Sequence, residues 1–208
     1  RLTQYFGDFK VVAGAMAQRD FVSTGPDGAT CKYSKDAVVP ELGLQLHYGT
    51  KGENSEILFG VGGNYISLLP RLVTFHDADS ITGYKTDETV DALSGIAFFK
   101  AVTPALTFKL EGVYGQNLYH TVMLGGYGVE SITDMEKDYR SYTPSQMYSV
   151  WTDIHTNGKK FQAGLFAGYT KNLGFAEKLN INDVEDDNYS FGNQVIYARG
   201  KNIDYIYR

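Results

Sequence analysis

Leu42-Gly43-Leu44-Gln45-Leu46-His47-Tyr48, then a break at Lys51-Gly52-Glu53-Asn54, then Ile57-Leu58-Phe59-Gly60-Val61 and on to Tyr65: this stretch decides the fold class. In both halves large apolar residues recur at every second position, with Gly43, Gln45 and His47 taking the alternate positions of the first. A period of two places alternate side chains on opposite faces of an extended strand, so the pair reads as a β-hairpin with one apolar face. The arrangement returns at Leu93–Lys100 and Leu106–Tyr114 around Val102-Thr103-Pro104, and at Ser149–Thr156 and Phe161–Tyr169 around Asn157-Gly158-Lys159.

Between the hairpins lie longer polar stretches, at 19–37, 68–89, 117–145 and 171–188. Short turns therefore alternate with long loops, which is the plan of a transmembrane β-barrel with one rim of tight turns and one of long loops. The expectation is an all-β, antiparallel, up-and-down transmembrane barrel, with residues 1–208 forming part of a single barrel domain. Complete strands are expected at 9–18, 38–48, 56–67, 90–100, 105–116, 146–156, 160–170 and 189–199. Pro26, Pro40, Pro70, Pro104 and Pro144 all fall in turns, in loops or near strand ends, where a missing N–H breaks no ladder.

Composition is compatible with that pattern without proving it. The chain is 43% hydrophobic, and its mean hydropathy of −0.27 would suit many water-soluble proteins. Barrel strands keep mean hydropathy low because half their residues face a polar interior. The longest apolar candidate, Ile57–Leu69, is interrupted by Gly60, Gly62, Gly63 and Asn64 and cannot be a spanning helix. The more telling counts are 16 Tyr, 12 Phe and 23 Gly, residues that suit pleated surfaces, membrane interfaces and crowded strand crossings. A net charge of −5 argues against general nucleic-acid binding. The single Cys31 can form no internal disulfide and gives no compartment.

Assigning the apolar phase outward turns Lys10, Gln45, His47, Asn64, Lys109, Glu111, Asp153, His155, Gln162 and Gln194 inward, as the lining of a lumen. The outward set is Phe9, Val11, Leu42, Leu44, Leu46, Ile57, Phe59, Val61, Leu106, Phe108, Leu110, Val150, Ile154, Leu165 and Val195. Reversing the phase would put Lys109 and Glu111 at mid-membrane, at roughly 2–4 kcal/mol for a charged side chain. A soluble antiparallel sandwich would explain the alternation equally well, but it asks for neither aromatic strand ends nor alternating turn lengths. Aromatic residues do favour the ends: Tyr48, Phe98, Phe99, Phe161 and Tyr197 beside short turns; Tyr65, Tyr114, Tyr119, Tyr148, Tyr169, Tyr189 and Phe191 toward the long loops. Trp151 follows the inward phase with Ser149 and Asp153.

These hairpins, with phrases such as FQAGLFAGYTKNLGF (161–175) and LTFKLEGVYGQNLYH (106–120), resemble segments of Gram-negative outer-membrane porin-type β-barrel proteins. The resemblance is one of pattern over nearly the whole chain. It implies residence in the bacterial outer membrane among lipid and lipopolysaccharide, and a homotrimer in many members. Leu2–Phe6 and Ile203–Tyr207 read as partial strands, so the chain is expected to be an internal stretch of a larger barrel.

Catalytic and metal chemistry have thin support. Ser149, Asp153 and His155 share a strand face, but neighbours two apart lie about 6.5–7 Å from each other and do not converge on one hydroxyl. His47, His76, His120 and His155 show no metal-binding spacing. The acidic stretch with Asp183, Glu185, Asp186 and Asp187 is a weak candidate for a divalent cation, without the glycine and spacing of an EF-hand. Gly125-Gly126-Tyr127-Gly128 reads as a flexible loop, not a phosphate cradle. The expected function is passive diffusion of small hydrophilic solutes through a polar lumen, without cofactor or covalent chemistry. The alternative is a structural or adhesive barrel with a closed lumen and partner-binding external loops; a barrel enzyme acting on lipids is a weaker third.

Overall fold

The computed structural model describes residues 1–17, 23–76 and 81–177, and the backbone of 196–198. Gln194, Val195, Asp183, Glu185, Asp186, Asp187, Tyr189, Phe191 and Ile203–Tyr207 lie outside the described residues.

The chain is built on antiparallel β-structure. Strands β1 (Leu2–Phe6), β2 (Phe9–Met16), β3 (Glu41–Lys51) and β4 (Glu56–Leu68) follow one another, with a six-residue helix α1 (Lys32–Ala37) between β2 and β3. A small hairpin, β5 (Val73–Phe75) and β6 (Gly83–Lys85), separates β4 from β7 (Val90–Val102). Then come β8 (Leu106–Gln116), the 3₁₀ turn η1 (Leu118–Thr121), β9 (Gly126–Asp134), β10 (Tyr139–Thr156), β11 (Gly164–Phe175) and β12 (Ile196–Ala198). Along the main sheet the order is β1-β2-β3-β4-β7-β8-β10-β9-β12, with β11 also paired to β10. Apart from the inserted hairpin and β9, this is an up-and-down meander. Among the described residues the sheet does not close on itself.

Several boundaries differ from the sequence expectation, each for a local reason. The strand expected at 160–170 is Gly164–Phe175, because the turn after β10 is longer than three residues. Thr156 N–H donates to Ala163 O at 2.9 Å, and the Asn157 side chain ties the turn to its neighbour, donating to Thr103 O at 2.7 Å and bonding Thr107 Oγ1 at 3.1 Å. The stretch 117–145 is not one loop. It holds η1, β9 and the first turns' worth of an 18-residue β10 whose upper part pairs with β9. The stretch expected as strand 189–199 is described only at β12, which pairs with β9 and not with β11.

The buried core lies at the long-loop end. Ile66, Leu68, Val90 and Ala92, from the ends of β4 and β7, enclose Tyr33 of α1 and Tyr127 of β9, with Cys31 and Tyr142 packed alongside. Tyr33 is fully buried, and its hydroxyl is satisfied: it accepts from Asp27 N–H at 2.8 Å and donates to Gly28 O at 3.1 Å. Burial pushes the Tyr33 phenol above its ordinary pKa. Two long connections are thus folded onto the sheet as a packed cap.

Gly25 sits against both tyrosines, and a Cβ there would fall 2.5 Å from the Tyr127 hydroxyl and from Tyr33 Cζ. Gly25→Ala should cost about 1–3 kcal/mol by overpacking. Limited proteolysis should show faster cleavage in 23–37 while amide protection of β3, β4, β7 and β8 is retained.

Candidate functional site

Each side chain's face follows from the cross-strand pairings, which run from β1 to β11 with one register shift, at Gln146/Met147 between β10 and β11. One row reads Tyr5–Lys10–His47–Gly60–Phe98–Glu111–Trp151–Gly168. Beside it on the same face run Thr3–Val12–Gln45–Gly62–Ile96–Val113–Ser149–Thr170 and Leu58–Lys100–Lys109–Asp153–Phe166. Lys10, Gln45, His47, Asn64, Lys109, Glu111, Asp153 and His155 therefore share one face, as the alternation predicts. Gln162 does not join them; it lies in the exposed turn before β11.

The opposite face is apolar and uncovered. Its rows are Thr50–Ile57–Ala101–Phe108–Ile154–Leu165, Phe6–Phe9–Tyr48–Phe59–Phe99–Leu110–Thr152–Ala167 and Gln4–Val11–Leu46–Val61–Ala97–Gly112–Val150–Tyr169. None of these rows contains Asp, Glu, Lys or Arg. Leu44 is 51% exposed, Phe9 57% and Leu165 70%, far more apolar surface in one continuous sheet face than a monomer in water ordinarily presents. Phe9 and Tyr48 are in ring contact at 5.0 Å near the short turns, and Tyr148 and Tyr169 at 6.0 Å toward the other end.

On the polar face several of the charges are paired with one another. Lys109 Nζ lies 3.3 Å from Asp153 Oδ1, which also meets His155 Nδ1 at 2.8 Å; Lys100 pairs with Glu56 at 3.2 Å. His47 Nε2 and Gln45 Oε1 are 3.1 Å apart. Trp151 Nε1–H donates to Glu111 Oε1 at 3.0 Å, which places the indole on the polar face, where its phase puts it. Ser149 bonds Thr170 at 2.8 Å and makes no approach to His155. The three residues share a face without forming a triad.

Phe98 is placed differently from the aromatic belt expected of it. It lies on the polar face, in edge contact with the His47 ring at 5.1 Å and over Gly60. The signal was present in the sequence, since Phe98 shares its phase with Lys100 and Ser94. Glu41 and His120 are a pairing no local pattern announces. Buried carboxylate and imidazole stand 3.5 Å apart, and Asn64 Nδ2–H donates to the same Glu41 oxygen. This contact fastens η1 over the polar face. Below it lies a hollow of about 490 Å³, lined by Gly14, Gly43, Gly62, Asn64, Ser94, Glu111, Val113, Leu118 and Met123 among others. Added Cβ atoms at Gly14 and Gly43 would meet nothing within 4 Å, so glycine leaves this floor open.

A second charged knot holds the cap. Asp138 accepts from Arg71 at 2.8 Å and from Arg140 at 2.8 and 3.0 Å, and Arg71 also reaches the Tyr142 hydroxyl at 3.2 Å. Burial opposes the Arg71 charge, yet Tyr142 and Asp138 outweigh it and hold its pKa above the usual arginine value. Among the described residues no group of three His, Cys, Asp or Glu side chains is placed to hold a metal ion, and no helix is long and apolar enough to cross a membrane. No family model, curated protein or solved structure matches this chain.

His120→Ala should strip Glu41 of a buried partner at about 1–3 kcal/mol. Hydrogen exchange should accelerate in 117–125 first, with β7 and β8 keeping their protection.

Proposed function

We propose that this sheet is the wall of a bacterial outer-membrane β-barrel and that its polar face lines a channel for passive diffusion of small hydrophilic solutes. The carrying observation is the segregation across the sheet. Three adjacent cross-strand rows on one face hold no charged residue, while Lys10, Lys100, Lys109, Glu111 and Asp153 all stand on the other. Lipid on the apolar side and water on the polar side satisfy both faces at once. Strands of 11 residues (β3, β8) and 13 residues (β4, β7) are long enough, since a tilted spanning strand needs about 9–11. In lipid the rims at β1 and β11 must be paired, because unpaired backbone groups there cost several kcal/mol each. The reading therefore requires a closed barrel around lipid-facing rows, with lipopolysaccharide and a homotrimer as further proposed partners.

The polar face supports conduction over covalent chemistry. Its charges are of both signs, with Lys109–Asp153 and Lys100–Glu56 paired, its floor is glycine, and Ser149 bonds Thr170 and not His155. The cap favours a second reading. With Tyr33 and Tyr127 packed into a core over the loop end of the polar face, the same barrel could be shut there and present its outer segments to an adhesive partner.

Two measurements test this. The protein should require detergent to remain dispersed and should insert into lipid vesicles; a monodisperse, folded protein in plain buffer overturns the membrane reading. Within the bilayer, Leu44→Arg, Phe108→Arg and Leu165→Arg should each destabilise by roughly 2–4 kcal/mol while changes at Gln45 or Lys109 remain mild, and equal costs on both faces would contradict the assignment.

Planar-bilayer recording separates the two readings of the lumen. Stepwise conductance, with Lys109→Glu moving the ion preference toward cations, is expected of a channel; a correctly inserted protein that conducts nothing supports the shut barrel.

A further inference from the structure

Not every residue on the polar face is polar. Val12, Ile96 and Val113 stand in one cross-strand row, with Gln45 and Gly62 between the first two, and Met16 shares the face of Val12 on β2. With Leu118 of η1 and Met123 just beyond it, these side chains wall the hollow of about 490 Å³. Passage of hydrophilic solutes gives no use to such a cluster, and the charge pairing does not account for it. Its floor is backbone: Gly14 and Gly43 are cross-strand partners, and a Cβ at either would meet nothing within 4 Å.

We propose that this hollow binds a small, uncharged, mostly apolar molecule of the kind of a medium-chain alcohol. The polar side chains at its border are engaged with the protein itself. Asn64 donates to Glu41, Gln45 Oε1 faces His47 Nε2 at 3.1 Å, Glu111 accepts from Trp151 at 3.0 Å, and Thr121 Oγ1 donates to Leu118 O at 2.7 Å. Ser94 is the one neutral polar side chain at the border without such a bond among the described residues, enough for a single ligand hydroxyl. Water in the hollow therefore finds few partners, and an alkyl group displaces it at little loss. The two charged residues at the border, Arg1 and Glu111, are of opposite sign and select for neither. Met16 and Met123 are unbranched and flexible, so the walls can close on ligands of differing shape. The volume lies within the range of pockets that enclose small ligands. A barrel shut by its cap holds the same hollow as an open one, so binding there does not depend on conduction.

Trp151 is the only tryptophan in the chain, and its indole is bonded to Glu111 at the border of the hollow, so the site carries its own reporter. Bromine quenches indole fluorescence at short range. The detergent-folded full chain is titrated with bromohexanol and, as a charged comparison of the same length, with bromohexanoate. Saturable quenching by bromohexanol is expected, with bromohexanoate much weaker. Gly14→Val suits a strand and fills the hollow from its floor, so it should abolish the saturable phase while the β-type circular dichroism spectrum is unchanged. The variant has the same indole in the same micelle, so partition of the probe into detergent cancels between the two proteins. Val113→Thr keeps the shape of the wall but adds a hydroxyl, and should weaken apparent affinity roughly 3- to 10-fold. The proposal is overturned by quenching that does not saturate, by equal affinity for bromohexanoate, or by a folded Gly14→Val or Val113→Thr protein that binds bromohexanol as the parent does. Conductance of the same preparation keeps the two conclusions apart, since a channel without saturable quenching loses the site alone and saturable quenching without conductance loses the channel alone.

Discussion

The antiparallel ladder is the constraint on which everything else hangs. From β1 to β11 each strand is paired residue by residue with the next, and side-chain direction alternates along it, so the face of every residue is settled by its partner. A slip of one residue at β8 would turn Lys109 and Glu111 toward Phe59 and Leu46 and bring Phe108 and Leu110 among the charges. The irregularities recorded in β10 are confined to Gln146/Met147 and to the part above it, where β9 replaces β8 as partner. Where the two faces differ most in chemistry, the pairing is uninterrupted.

That segregation explains the chemistry of the polar face as well as that of the apolar one. Charges collected on one face would repel or need hydration if they were of one sign. Here Lys109 shares Asp153 with His155, and Lys100 takes Glu56, so mixed charges stand in adjacent rows. Small residues farther along the same face, Gly14, Gly43 and Gly62, keep the surface recessed beneath η1. Exposed partners of this kind contribute little to folding stability. Their position matters through the field they present to whatever enters the recess.

Much of the sheet could be read from alternation alone, because Leu42 to Tyr48 and Leu106 to Leu110 obey the period of two without exception and Ile57 to Val61 departs from it only at Leu58. So could the company kept by Lys10, His47, Lys109, Glu111 and Asp153, and the place of Trp151 on their face. What alternation missed, it missed for definite reasons. β9 and the upper β10 carry register shifts at Tyr139/Arg140 and Ser141/Tyr142, which erase the period. Helix α1 has six residues, too few for a helical period to emerge. The start of β11 is set by Asn157 reaching the neighbouring turn, a tertiary bond with no local signature. The Glu41–His120 contact joins residues far apart in sequence, and the Tyr33–Tyr127 core joins two connections that each look polar on their own.

Strand β10 outruns its neighbours. Its lower portion, from Ser145 to Thr156, is clasped between β8 and β11, while Tyr139–Pro144 projects past them to carry β9 and, through β9, the cap. The contacts within the meander are mostly between neighbours in the chain, whereas the cap needs α1, β4, β7 and β9 together, a closure over long loops that is slow to nucleate. The shared strand thus imposes a sequence of events on folding. β9 and β10, joined across 135–138, are expected to pair early as a local hairpin, and the tyrosines are gathered only when that hairpin meets α1, β4 and β7.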